Sequence, residues 1–333
     1  MAKWRSVAVI GGGAWGTALA HLTASSDIKT LLWARDASVA DAINTTKQNP
    51  VFLAGAALDA RLRATARLED IADAEAIIFV VPAQFTRAVL TDLRAQAVND
   101  VSLLLCTKGV ERHSNLFMSE VAAAVWPQAQ LAALSGPSFA ADVAAGLPTA
   151  VTIACQNEAL GQQWAETLKA PHFRPYLSTD LVGVEIGGAV KNVLAIAAGA
   201  VDGRRLGASA RAALVARGFA EIQRLGAALG AKPETLAGLS GLGDLILTAT
   251  STQSRNYSLG RALGAGAEAG EVLQGRRNVS EGAATAAAIV ARGAKAGVDL
   301  PICRAVADLV DGTRTIDEIV SDLLSRPLKP ETT

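Results

Sequence analysis

An apolar run, Val7-Ala8-Val9-Ile10, passes directly into Gly11-Gly12-Gly13-Ala14-Trp15-Gly16 and then into a helical pattern over Ala14–Ala24. No other feature constrains the fold as strongly. In a G-x-G-x-x-G between strand and helix, Gly11 permits a tight turn and Gly13 lets a pyrophosphate approach the backbone. Gly16 lets the helix pack close to the strand, and the helix N-terminus offers free N–H groups and a positive dipole. The segment predicts a dinucleotide-binding turn.

The first half of the chain continues in the same idiom. Thr30–Trp33, Ala76–Val81, Val101–Cys106, Leu131–Leu134 and Thr149–Ala154 are apolar runs of strand length, with helical patterns over Ala37–Asn44 and Ala83–Leu93 between them. Continuously apolar strands alternating with helices predict a parallel sheet covered on both faces. After about Tyr176 the pattern becomes helical throughout. Leu181–Ala200, Ala210–Leu229, Asn256–Leu263, Glu281–Gly293 and Arg304–Val310 are the predicted helices, and the tail Ser325–Thr333 is expected to fray. The expected class is α/β: a Rossmann-type doubly wound parallel sheet over residues 1–178, then an all-helical substrate-binding domain over 179–333. A long helix starting near Asp180 joins the two.

Composition narrows the function. The 333 residues carry 31 basic and 31 acidic side chains, and half of them are hydrophobic. That balance argues against a disordered chain and against a nucleic-acid binder. Cys106, Cys155 and Cys303 are scattered, and His21, His113 and His172 lack metal-ligand spacing, so no metal is expected. The N-terminus reads as a strand rather than a leader. No uninterrupted apolar run reaches the roughly 20 residues of a membrane span. The chain is expected to be soluble and cytoplasmic, and its Ala- and Gly-rich helical half leans toward a homodimer.

The second strand ends in Trp33-Ala34-Arg35-Asp36. An arginine at this point can pair with a 2′-phosphate and stack on adenine, so NADPH is the preferred cofactor and NADH the second choice. Further polar residues stand in apolar settings. Thr107-Lys108-Gly109 and Ser135-Gly136-Pro137-Ser138-Phe139-Ala140 each follow a strand. Lys191-Asn192 lies in an apolar helix beside Gly187 and Gly188, where a lysine is expected to be partly desolvated, the alternative being that it snorkels to solvent. Gly241-Leu242-Gly243-Asp244 and Ser254-Arg255-Asn256 follow, with Ser254 a candidate helix cap that sets Arg255 near free N–H groups.

Taken together, G-G-G-A-W-G-T-A-L-A, T-K-G, G-P-S-F-A, G-G-A-V-K-N-V, G-L-G-D-L, S-R-N and the closing S-E-G-A-A-T resemble, in order, the soluble NAD(P)-dependent glycerol-3-phosphate dehydrogenases. The resemblance spans residues from about 11 to 282. It implies hydride exchange between NAD(P)H and dihydroxyacetone phosphate, a small phosphorylated substrate, with Lys191 as proton acceptor and a role in supplying glycerophospholipid synthesis. It implies substrate contacts at Lys108, Gly136, Ser138, Lys191, Asp244, Ser254, Arg255 and Asn256. Cofactor contacts are implied at Ala14, Trp15, Arg35, Lys108, Ala140, Arg255, Val279 and Glu281, beside Gly11, Gly13 and Gly16. At Ala14 the family often has serine, so only the backbone N–H is expected to serve there. A hydroxy-acid dehydrogenase with a lysine base and a dinucleotide sensor without turnover are the competing readings.

A lysine near pKa ~10.4 is a poor base at neutral pH. Burial plus a neighbouring cation would bring Lys191 toward about 7–8, with Lys108 as that cation and Asp244 orienting the amine. The zero net charge is thus expected to average over a cationic cleft formed by Arg35, Lys108, Lys191 and Arg255.

Overall fold

The computed structural model describes residues 3–96, 101–274 and 280–327. Eight strands form one sheet: β1 (Ser6–Ile10), β2 (Lys29–Trp33), β3 (Arg63–Thr65), β4 (Ala76–Phe79), β5 (Ser102–Leu105), β6 (Gln130–Ser135), β7 (Thr149–Ala154) and β8 (Phe173–Ser178). Their spatial order is β3-β2-β1-β4-β5-β6-β7-β8. Alternation along β1 sends Val7 and Val9 into one core and Ala8 and Ile10 into the other, so both faces of the strand are buried. The same split holds in β4 and β5, where Ile78 and Leu104 join one core and Ile77, Phe79, Leu103 and Leu105 the other.

Register brings Ile10 beside both Trp33 and Phe79, and Phe79 beside Leu105. The carboxyl ends of four strands therefore meet at one edge, where the chain order also reverses between β1 and β4. Ligands of open α/β sheets bind at such an edge.

Four features differ from the sequence reading. The sheet is not wholly parallel, because β7 runs antiparallel to β6 and β8 then runs parallel to β7. The link between β6 and β7 carries only the short helix Ala140–Ala144, and the chain returns beside β6 instead of crossing over. Strands β3 and β8 carry too little apolar pattern to be predicted; β8 sits at the sheet edge with Tyr176 and Leu177 exposed. The apolar run Ala76–Val81 stops being strand at Phe79, and helix Ile316–Ser325, closed by a Thr315/Glu318 capping box, occupies residues ahead of the expected frayed tail.

The helix Leu181–Gly203 is the axis of the second half. Asp180 caps it, accepting from the Gly183 N–H at 2.8 Å. It is long and apolar enough to cross a membrane, yet most of its length is buried inside the molecule. Its first turns rest on the sheet, where Val184 packs with Ala133 and Ala154, and Glu185 accepts from the N–H and hydroxyl of Ser119. Its later turns are enclosed by helices Ala208–Ala228, Asp244–Thr250, Arg255–Gly264 and Glu281–Lys295. Gly199 and Gly260 let it meet Arg255–Gly264 at backbone distance; a Cβ on either would strike a carbonyl of the other helix. This one element therefore joins the sheet to the helical half and carries Lys191 between them.

Candidate active site

At the cofactor end the glycines do what their positions require. Gly11 has φ +126° and lies against the Val80 carbonyl, and a Cβ on Gly16 would collide with the Gly11 carbonyl. Only glycine fits there. The Cβ position of Gly13 meets no atom within 4 Å, leaving open space at the N-terminus of helix Ala14–Ser25. That cradle suits a pyrophosphate, and Ala14 and Trp15 begin the helix above it. Helix Ala140–Ala144 packs against this first helix, and Ala140 joins Ala14 and Trp15 against the same core.

Arg35 is exposed, its guanidinium 6.0 Å from the centre of the Phe85 ring. Phe85, also exposed, ends the 3-10 turn that follows β4. The neighbouring Asp36 caps the helix Ala37–Thr46 by accepting from the N–H and hydroxyl of Ser38. Asp36 is thus occupied, and Arg35 is the charge this corner presents. Val279 lies outside the described residues.

The centre of the site is Asp244. Its Oδ2 accepts from Lys108 Nζ at 2.6 Å and its Oδ1 from Lys191 Nζ at 2.8 Å. Lys108 comes from the loop after β5, held by Thr107, which donates to the Val81 carbonyl. Lys191 comes from the central helix. The two cations thus arrive from the two halves of the chain and share one carboxylate that is 1% exposed. Gly188 makes room for this, since a Cβ there would press on the Ser135 hydroxyl and the Lys108 stem.

Burial would raise the Asp244 carboxyl, but the two ammonium groups outweigh it and hold the group below the usual carboxylate range. Lys191 is pushed down to about 8, chiefly by burial; Asp244 resists that shift and Lys108 assists it. Lys191 does not snorkel to solvent: it is 8% exposed. Its amine also donates to Thr248 Oγ1 at 2.8 Å, a partner absent from the sequence reading. The signal was present, because Asp244 and Thr248 stand four apart and so share one helix face.

Around this triad the remaining residues converge. The Gly136 carbonyl accepts from Lys108 Nζ and from the Ser138 hydroxyl. Ser254 caps helix Arg255–Gly264 by accepting from the Tyr257 N–H, setting Arg255 and Asn256 in the first turn. Asn256 donates to Asn192 Oδ1 and accepts from the Gly282 N–H, locking three helices together one residue from Lys191 and one from Glu281. Glu281 faces the Lys108-Gly109 loop. Burial raises its carboxyl to about 7 against the pull of Arg255, the Ala83 amide, Lys191 and Lys108. Its Oε2 is sealed and has no partner among the described residues, as does the hydroxyl of Ser135. No cluster of metal-ligating side chains occurs among the described residues.

A doubly wound sheet with a dinucleotide cradle, facing a helical half that delivers a buried lysine, defines a two-domain nicotinamide-dependent oxidoreductase. Comparison with known proteins refines the class. The family model described as NAD-dependent glycerol-3-phosphate dehydrogenase N-terminus matches residues 6–161, and that for the C-terminus matches residues 180–321. A glycerol-3-phosphate dehydrogenase [NAD(P)+] of Parvibaculum lavamentivorans is 52% identical over 99% of both chains. Its counterpart in Rhodospirillum rubrum is 56% identical, covering 98% of this chain and 93% of that protein. The crystal structure of glycerol-3-phosphate dehydrogenase from Coxiella burnetii superposes with a TM-score of 0.93 at 36% identity, covering 97% of this chain and 99% of that one. The chain belongs to the NAD-dependent glycerol-3-phosphate dehydrogenase family.

Proposed function

We propose that this enzyme reduces dihydroxyacetone phosphate to sn-glycerol 3-phosphate, and catalyses the reverse oxidation, with NADPH preferred over NADH and Lys191 as proton donor and acceptor. The observation that carries the reading is the Lys108–Asp244–Lys191 bridge between the sheet edge and the helical half. We assign 1–178 and 179–333 as the two domains, supported by the end of β8 at Ser178 and the start of the central helix at Leu181. In a cytoplasmic enzyme of this kind the product would supply glycerophospholipid synthesis.

When bound, the nicotinamide supplies or accepts the hydride. Gly11, Gly13 and Gly16, with Ala14, Trp15 and Ala140 beside them, would hold its pyrophosphate end. Arg35 would pair with a 2′-phosphate. Lys108, Arg255, Val279 and Glu281 complete that assignment.

During reduction, negative charge develops on the substrate oxygen at C2. Lys191, tuned to about 8, is largely protonated at neutral pH and gives that oxygen a proton; in oxidation its neutral amine takes the hydroxyl proton. Lys108 stabilises the developing charge, while Asp244 and Thr248 keep the Lys191 amine aimed. Gly136, Ser138, Ser254, Arg255 and Asn256 hold the rest of the substrate, with the phosphate at the capped N-terminus of helix Arg255–Gly264.

The direct test is loss of the near-ultraviolet absorbance of NADPH, then of NADH, on adding dihydroxyacetone phosphate. Faster loss with NADPH supports the proposal; no loss with either rejects it. Arg255→Ala is expected to raise KM for dihydroxyacetone phosphate by about 10- to 100-fold, the worth of a charge-assisted hydrogen bond. An unchanged KM would move the phosphate elsewhere. Arg35→Ala is expected to raise KM for NADPH by about tenfold and leave NADH nearly unaffected. Equal losses would remove Arg35 from the 2′-phosphate.

A further inference from the structure

Three consecutive glycines can hold a phosphate cradle only if something outside them fixes their peptide planes, because glycine resists few backbone rotations. Residues 47–62, between helix Ala37–Thr46 and β3, form a strap that does this. The strap is closed at its base: the Leu58 N–H donates to the Lys47 carbonyl and Lys47 Nζ to the Leu62 carbonyl, each at 2.9 Å. The Asp59 N–H pins it to the first helix by donating to Nδ1 of His21. Leu53, Leu58 and Leu62 are buried in the core that also receives that helix.

Asn49 lies inside the strap and is 0% exposed. Its Nδ2 donates to the Gly12 carbonyl at 2.9 Å and to Thr17 Oγ1 at 2.8 Å, and its Oδ1 accepts from the Phe52 N–H at 3.1 Å. The amide orientation is fixed by this set, since an N–H must face an oxygen and a carbonyl must face a donor. On the other side, Gly12 lies so close to Ala34 that a Cβ would approach the Ala34 Cβ to 2.5 Å.

We propose that Asn49 is a positioning residue for the cofactor: it holds the Gly12 carbonyl toward the strap and thereby aims the Gly13 N–H at the pyrophosphate. The geometry follows from the peptide itself. All peptide bonds described are trans, and in a trans unit the carbonyl of one residue and the N–H of the next point in opposite directions. Anchoring one end of the Gly12–Gly13 peptide therefore orients the other. Without that anchor the Gly12 carbonyl keeps, among the described residues, only the long contact from the Thr17 hydroxyl at 3.5 Å, and binding must first order the peptide. The inference rests on the glycine turn being the cofactor cradle.

The test uses the whole enzyme and its two cofactors. Asn49→Asp keeps the volume and the acceptor for Phe52 but sets an oxygen against the Gly12 carbonyl; Asn49→Ala removes both contacts. Each is expected to raise the dissociation constants of NADPH and NADH alike, by about tenfold, the worth of one lost hydrogen bond. The value of kcat at saturating cofactor and KM for dihydroxyacetone phosphate should stay within about twofold, on the view that a pre-organised donor acts on binding and not on the chemical step. Thr315→Ala, which removes the cap of helix Ile316–Ser325 far from the strap and the glycine turn, should leave both cofactor constants unchanged. Unaltered cofactor affinity in a folded Asn49→Asp enzyme overturns the proposal, as does an equal loss in Thr315→Ala. Gly13→Val separates the two levels: if it binds NADPH normally, the cradle itself is misassigned. If it loses NADPH while Asn49→Asp does not, only the role of Asn49 falls.

Discussion

Replacing Lys191 by alanine is expected to lower turnover by about 10²- to 10⁴-fold, the range of a lost general acid–base group. Cofactor affinity should remain within about twofold, because no contact of Lys191 reaches the glycine turn. The amine has two partners, Asp244 and Thr248, and both are on helix Asp244–Thr250. Removing it leaves Asp244 with Lys108 alone, still paired, so the fold should survive. Steady-state rates in both directions, with NADPH affinity measured by fluorescence, check the result. A variant retaining a tenth or more of wild-type turnover would exclude the proton role.

Asp244→Asn should produce the second large effect, on stability and on pH dependence together. The substitution leaves two cations, each mostly buried, with no countercharge between them. Breaking a buried pair in this way costs about 3–5 kcal/mol, partly relieved here because a lysine can shed its proton. Asp244 is also what raises the Lys191 amine against burial, so its loss should drop that amine further below about 8. At neutral pH a larger share of the amine would then be neutral. Reduction should fall by about tenfold for each unit that the midpoint drops below the assay pH, while oxidation extends to lower pH. Thermal denaturation and rate profiles from pH 6 to 10 measure both consequences. A normal profile with lowered stability would reduce Asp244 to a structural bridge.

The sheet's interior was readable because β1, β4 and β5 are buried on both faces and so are apolar apart from Ser6 and Ser102 at their starts. Its direction was not. An apolar run states that a strand is buried, not which way it points, and the reversal at β7 is decided by the short connection through Ala140–Ala144. Edge strand β8, with exposed Arg174, Tyr176 and Leu177, carries almost no pattern. In the helical half, helix Asp244–Thr250 escaped notice for a related reason. Of its buried residues Asp244, Leu245, Thr248 and Ala249, two are polar, while Ile246 is exposed, which blurs the usual helical pattern.

The candidate site residues were read from motifs, but their assembly was not legible. Lys108 and Asp244 are 136 positions apart, and nothing local marks them as partners. Asn49 was invisible for a different reason. Its main partner is the backbone carbonyl of Gly12, and a backbone partner leaves no trace in residue identity. The expected cationic cleft is only partly what the structure contains, since Lys108 and Lys191 are held by Asp244 and Glu281 faces them.

The account turns on a buried lysine that gains and loses a proton near neutrality, and the pH dependence of kcat/KM for glycerol 3-phosphate oxidation tests this most directly. Oxidation requires the neutral amine, so the rate should rise with pH through a single ionisation at about 8 and then level off. Reduction requires the protonated amine and should fall over the same interval. An oxidation rate that is flat across that interval, or one whose inflection persists in the residual activity of Lys191→Ala, would contradict it.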